Sequence, residues 1–203
     1  MTIAVTGPYT SGKSTFVRML GELGAETVSA DEIVHDLLES GGEAIRRVTD
    51  RFGECVRGER GIDRKSLGRV VFGDAEALRD LENILHPLVR RETDRRISAS
   101  KSEVFVAEIP LLFEGERSGA FDLTVAVTVP EERRRAWAGE RGVDEAALRA
   151  IEARQLSGEE KARRADVVVE NDANPDKLKE QAEALLERLL GGRGPGGGPR
   201  QGE

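Results

Sequence analysis

The chain has 203 residues, with 38 acidic against 31 basic side chains and a formal net charge of −7. That length suits one α/β domain with an inserted region, and the acidic total argues against a nucleic-acid binder held by bulk electrostatics, leaving small molecules as the expected partners. A single cysteine excludes a disulfide framework and a cysteine-based metal site, and Cys55 reads as a small packing residue.

The first element is Ile3-Ala4-Val5, a short buried strand. The chain enters it without the charged flank and cleavage site of a signal peptide, and no apolar run approaches the ~20 residues that span a bilayer. A cytoplasmic protein without membrane association is therefore expected. Gly7-Pro8-Tyr9-Thr10-Ser11-Gly12-Lys13-Ser14 follows and fits G-x-x-x-x-G-K-[ST], with Phe16, Val17, Leu20 and Leu23 marking one face of a helix behind it. In such a strand–loop–helix the helix's unpaired N–H groups face a nucleotide's phosphates. Lys13 reaches the β- and γ-phosphates and Ser14 ligates the accompanying magnesium.

Glu26-Thr27-Val28-Ser29 is the second expected strand, ending at Ala30-Asp31. Residues 32 to 99 are almost wholly helical in pattern, with Ile33/Val34/Leu37/Leu38, Ile45/Val48/Phe52, Leu67/Val70/Val71 and Leu78/Leu81/Leu85/Leu88 as apolar faces. So long a helical block between two strands reads as an acceptor-binding insertion. Val104 to Ala107, Leu123 to Val129 and Val167 to Val169 complete five strands alternating with helices, the pattern of a parallel sheet. Ser157 with Glu160 forms a capping box, and Asn174-Pro175 opens the last helix, with Leu178, Leu185 and Leu189 inward. From Gly191 onward the Gly/Pro-rich chain cannot bury a core and should be disordered.

Ligands of open α/β sheets bind at the carboxyl ends of the strands, where the second strand delivers Asp31 and the third delivers Glu108, Pro110 and Glu114. A carboxylate at Asp31 can orient an acceptor hydroxyl and take its proton, or it can simply cap the following helix. His86, beside the helix-breaking Pro87, has both a structural and a functional reading. The run Arg133, Arg134, Arg135, Arg141, Arg154, Lys161, Arg163 and Arg164, interspersed with glutamates, is either a solvated face of ion pairs or an arginine lid over a phosphoryl group.

Arg51-Phe52-Gly53, Asp63-Arg64 with Leu67 and Val71-Phe72, Leu85-His86-Pro87, Pro110-Leu111-Leu112-Phe113-Glu114, Gln155, Lys161 and Ala165-Asp166 through Asn171, with Ser29-Ala30-Asp31 and the phosphate loop, resemble the dephospho-coenzyme A kinases from residue 2 to about residue 190. The resemblance implies transfer of the ATP γ-phosphate, with Mg2+, to the ribose 3′-hydroxyl of dephospho-CoA, the last step of coenzyme A synthesis. It also implies the three-layer sandwich of the P-loop kinases, with five parallel strands in the order 2-3-1-4-5. Residues 1–190 would form that domain, with a core of 1–31, 102–130 and 166–190, an acceptor-binding helical region of 32–101 and a lid of 131–165. Residues 191–203 would be the tail.

By the same resemblance Asp31 and Lys13 are catalytic. Gly7, Thr10, Ser11, Gly12, Lys13, Ser14, Thr15, Arg141 and Asn171 take ATP, Ser14 takes the metal, and Asp31, His86, Pro110, Leu111 and Glu114 serve the acceptor. A monomer or weak homo-oligomer is expected. Three residues depart from the family pattern. Pro8 and Thr10 stand where glycine is common, and Ser29 stands where an aspartate often precedes the base. Near position 140, where the family tends to place an arginine, the chain reads Glu140-Arg141-Gly142. Another metabolite or nucleoside monophosphate kinase with the same core is the alternative, and a nucleotide-binding switch a more distant one.

Overall fold

Valine, isoleucine, threonine and phenylalanine concentrate in five short segments, and each is a strand in the computed structural model, which describes residues 1–71 and 73–191. These are β1 (Thr2–Thr6), β2 (Glu26–Ser29), β3 (Phe105–Glu108), β4 (Leu123–Thr128) and β5 (Val167–Glu170). They form a parallel sheet in the order β2-β3-β1-β4-β5, as expected of a P-loop kinase. Ala4 pairs with Ala107 on one side and Thr124 on the other, so β1 is central and its carboxyl end opens between two neighbours.

By contact the chain separates into two units, one of residues 1–27 with 102 onward and one of residues 28–101. The first holds α1 (Lys13–Glu22), and later α6 (Glu131–Glu140), α7 (Glu145–Glu152), α8 (Gly158–Arg164) and α9 (Pro175–Gly191). Its core joins Ile3, Val5, Val106, Val125, Val127 and Val169 of the sheet to Phe16 and Leu20 of α1 and Leu178 and Leu185 of α9. Phe16 and Leu20 are fully buried, each contributing about 2 kcal/mol of transfer free energy. Leu23 leaves that face: it is the C-cap of α1 and is exposed, because the helix has already ended.

The second unit is helical, with α2 (Ala30–Ser40), α3 (Gly42–Phe52), α4 (Arg64–Val71) and α5 (Ala75–Ala99) around Leu38, Val48, Phe52, Val56, Ile62, Leu67, Leu85 and Leu88. Cys55 is exposed here, contrary to its reading as a packing residue. A short 3-10 turn over Glu54–Val56 rotates Val56 inward instead. Pro87 does not break the helix: α5 runs 25 residues through it. Proline lacks the N–H that would donate to the carbonyl four residues back, but Leu85 and Leu88 on either side are buried, and such packing rather than propensity holds most protein helices.

Ser157 and Asn174 both act as caps, as read from the sequence, although the Glu160 carboxylate pairs with Arg163 and Arg164 rather than closing the capping box. Ser157 Oγ accepts from the Glu160 amide at 3.1 Å, and Asn174 Oδ1 from the Asp176 amide at 3.0 Å. Gly191 belongs to α9 and not to a tail. Phe72 and residues 192–203, on which the remaining motif and the tail assignment fall, lie outside the described residues.

Candidate functional site

The loop between β1 and α1 holds its shape through glycines that no other residue could replace in place. Gly12, the N-cap of α1, has φ 88°, and a Cβ there would stand 2.2 Å from Asn171 Nδ2. Gly7 has φ 151°, and a Cβ on it would meet the Val127 carbonyl at 2.3 Å. Thr10 also takes positive φ, 58°, a conformation costly for a β-branched residue. Its hydroxyl lies 2.7 Å from the Tyr9 carbonyl and 3.1 Å from that of Arg134 in α6, with one proton to give to either.

No side chain caps α1, and no acidic residue of its own stands in its first turn, so the free amides of the helix start face the loop. Lys13 is buried, and its Nζ donates to the Pro8 carbonyl at 2.8 Å. Ser11 is fully buried, and its Oγ has no hydrogen-bond partner among the described residues. Asn171 braces the loop from just beyond β5, its Nδ2 donating to the Ser11 carbonyl at 2.9 Å. Ser14 Oγ donates to Glu108 Oε1 at 2.8 Å, which puts a hydroxyl beside a buried carboxylate at the carboxyl end of β3.

The segment after β3 is tied down by one lysine. Lys161 is wholly buried and donates to the Pro110 carbonyl at 2.5 Å and to Glu114 Oε1 at 3.0 Å. Thr6 Oγ1 gives Pro110 a second donor at 3.1 Å, and the Leu156 amide gives Glu114 Oε1 a second at 2.7 Å. Burial pushes the Lys161 ammonium below the usual lysine range, and the Glu114 carboxylate opposes that fall. Lys161 is thus no member of a solvated face. The neighbouring pairs Arg135–Glu131, Arg163–Glu160 and Arg164–Glu160 are such a face, and Arg134, mostly buried, pairs with Glu152 of α7.

A cleft beside the loop is lined by Thr10, Gly12 and Thr15, by Trp137 of α6 and Arg141, the C-cap of that helix, and by Asn171 and Pro175. Seven of the sequence-predicted ATP residues, Gly7 and Thr10 to Thr15, thus share one loop and helix start, and Arg141 and Asn171 join three of them in the cleft. Trp137 escaped the sequence reading. Its signal was that the chain's one tryptophan sits in an otherwise Arg/Glu-rich helix. Glu108 was likewise placed at a strand end without being paired to Ser14.

In the second unit Asp31 is exposed in the first turn of α2. The capping reading falls to Ser29, whose Oγ accepts from the Asp31 amide at 3.2 Å. His86 is exposed in the middle of α5. Of the remaining acceptor residues, Leu111 is half-buried, and the Pro110 carbonyl and one Glu114 oxygen belong to the lysine network.

Comparison with known proteins matches the dephospho-CoA kinase family over residues 1–177. A dephospho-CoA kinase of Anaeromyxobacter dehalogenans is 40% identical over 197 residues, covering 95% of this chain and 93% of the relative. One of Carboxydothermus hydrogenoformans is 39% identical, covering 92% and 93%. Among solved structures, the dephospho-CoA kinase of Campylobacter jejuni is 26% identical with a TM-score of 0.66, covering 93% of this chain and 96% of that one. A shikimate kinase of Acinetobacter baumannii, 16% identical with a TM-score of 0.56 and covering 95% and 94%, shares the fold.

Proposed function

This chain belongs to the dephospho-CoA kinase family, and from that premise we propose how its own residues carry out the reaction. It is an ATP-dependent kinase that phosphorylates dephospho-CoA in coenzyme A biosynthesis. The acceptor atom is the ribose 3′-hydroxyl. The observation that carries the reading is the uncapped start of α1, with Lys13 and Ser14 at the end of a glycine-shaped loop.

The α1 amides and Lys13 hold the β- and γ-phosphates, Lys13 exchanging the Pro8 carbonyl for the stronger anionic acceptor. Arg141, exposed at the cleft, adds positive charge over the phosphates. Asn171 keeps Gly12 and Ser11 in place. Asp31, its carboxylate not used for capping, orients the acceptor hydroxyl and takes its proton. His86 and Leu111 contact the acceptor, while Pro110 and Glu114 shape its side of the site through Lys161.

The oxygen donors of Ser14 and Glu108 fit magnesium, a hard cation that takes oxygen ligands and keeps several waters. Among the described residues no cluster of three His, Cys, Asp or Glu forms a dedicated metal cage, so the nucleotide phosphates would complete the shell. Such an ion neutralises developing charge on the phosphates.

Residues 32–101 form the acceptor-binding region and 131–165 the lid. No helix among the described residues is long and apolar enough to cross a membrane. A cytoplasmic enzyme, monomeric or weakly self-associating, is the setting we propose. The deciding measurement is ADP release with Mg-ATP and dephospho-CoA, set against AMP, shikimate and no acceptor. Release only with dephospho-CoA, together with a CoA-sized product, is expected. Release with shikimate or AMP alone would move the chain to another acceptor.

A further inference from the structure

The two loop residues that break the glycine pattern point the same way. Thr10 holds φ 58° and is 5% exposed, and its hydroxyl, whose one proton can go to the Tyr9 carbonyl at 2.7 Å within the loop, is also 3.1 Å from the Arg134 carbonyl of α6, its one acceptor outside the loop among the described residues. Pro8 lies against the start of α8, where a Cβ on Gly158 would be 3.4 Å from Pro8 Cγ, an ordinary packing distance. Both neighbours fall within residues 131–165, the segment that carries Trp137 and Arg141 into the cleft. A strained backbone at a loop that could have used glycine persists only where the surroundings over-determine it.

We propose that Thr10 is a positioning residue: it accepts backbone strain so that its hydroxyl pins α6 to the phosphate loop, with Pro8 seating α8 beside it. The pin sets where Trp137 and Arg141 stand relative to bound nucleotide. Arg134 is fixed in turn by its pair with Glu152 of α7, so α6 and α7 move with the loop as one clamp. This inference rests on the ATP reading above and adds to it the residue that aligns the clamp.

The two effects of Thr10 separate on substitution. Thr10→Gly removes both the strain and the hydroxyl. Its unfolding midpoint should equal or exceed the wild-type value, while its KM for ATP rises roughly 3- to 10-fold, the loss of about one hydrogen bond. KM for dephospho-CoA should stay unchanged. Thr10→Val, which keeps the bulk without the hydroxyl, should show the same rise, and Thr10→Ser should return the ATP value to within about twofold of wild type. The emission of Trp137, the chain's one tryptophan, should differ between wild type and Thr10→Gly before nucleotide is added and coincide between wild type and Thr10→Ser.

A wild-type KM for ATP in Thr10→Gly, or failure of Thr10→Ser to restore it, would overturn the proposal and leave the kinase reading standing. A wild-type protein without ATP turnover on dephospho-CoA would overturn both.

Discussion

Ser29 Oγ accepts the amide hydrogen of Asp31 at 3.2 Å, so the cap of α2 is a hydroxyl and the nearest carboxylate is left outside the capping bond. In a helix whose cap was Asp31, mutation would confound stability with chemistry. Here the two are separable.

Asp31→Asn should therefore lower kcat by about 10²-fold or more while the unfolding midpoint and ATP affinity stay near wild type. Steady-state kinetics beside thermal unfolding reads both. An unchanged kcat would remove Asp31 from the chemistry. Ser29→Ala should do the reverse, costing about 1 kcal/mol of stability.

Lys161→Met leaves the mostly buried Glu114 with a single amide donor and should destabilise the protein by about 3 kcal/mol in urea. Adding Glu114→Gln should recover a large part of that loss, since the penalty is an uncompensated charge and not missing volume. Equal stability of the single and double variants would show that the pair is not coupled.

Gly12→Ala should abolish measurable ATP binding and cost about 2 kcal/mol or more, because the new methyl meets Asn171 Nδ2 and the backbone stays at φ 88°. Asn171→Gly in that background should relieve the overlap but not the strain. Calorimetric titration with ATP and urea unfolding distinguish the two.

Glu92 accepts hydrogen bonds from Arg95 and Arg96, which hold its carboxyl down to about 2. Its folded value lies below its unfolded one, so its stabilisation is present above about pH 4.5 and disappears as the pH falls toward 2. Glu92→Gln should cost about 0.5 kcal/mol at pH 7, as partly exposed helix pairs do, and almost nothing near pH 2. A gap that persists in acid would assign the effect to packing.

The sheet was legible because strand preference is strong and uncontested: Ile3-Ala4-Val5 is wholly buried, Val167-Val168-Val169 is a β-branched run although only Val169 is buried, and the strand order came with the family resemblance. Helix starts at Ser157 and Asn174 were legible because capping is local chemistry. What escaped depends on neighbours distant in sequence. Lys161 looks like its arginine neighbours, since a seven-residue helix is too short for periodicity to separate its inner face from its outer one. Pro87 reads as a breaker because propensity says nothing of the packing that holds α5 together. Cys55 and Val56 exchange places because a 3-10 turn changes the phase. Asp31 and Lys13 were singled out by position and motif, but the carbonyl and carboxylate partners of Lys13 and Ser14 come from folding and not from spacing.

The brace between Asn171 and the Ser11 carbonyl spans 160 positions of chain. During synthesis the phosphate loop leaves the ribosome 160 positions ahead of the asparagine that supports it. Gly12 can hold its left-handed turn against Asn171 only after β5 has joined the sheet. Nascent chains halted before that strand should make a loop with the right residues and no grip on nucleotide, so ATP becomes available as a stabilising ligand only once Asn171 has been made.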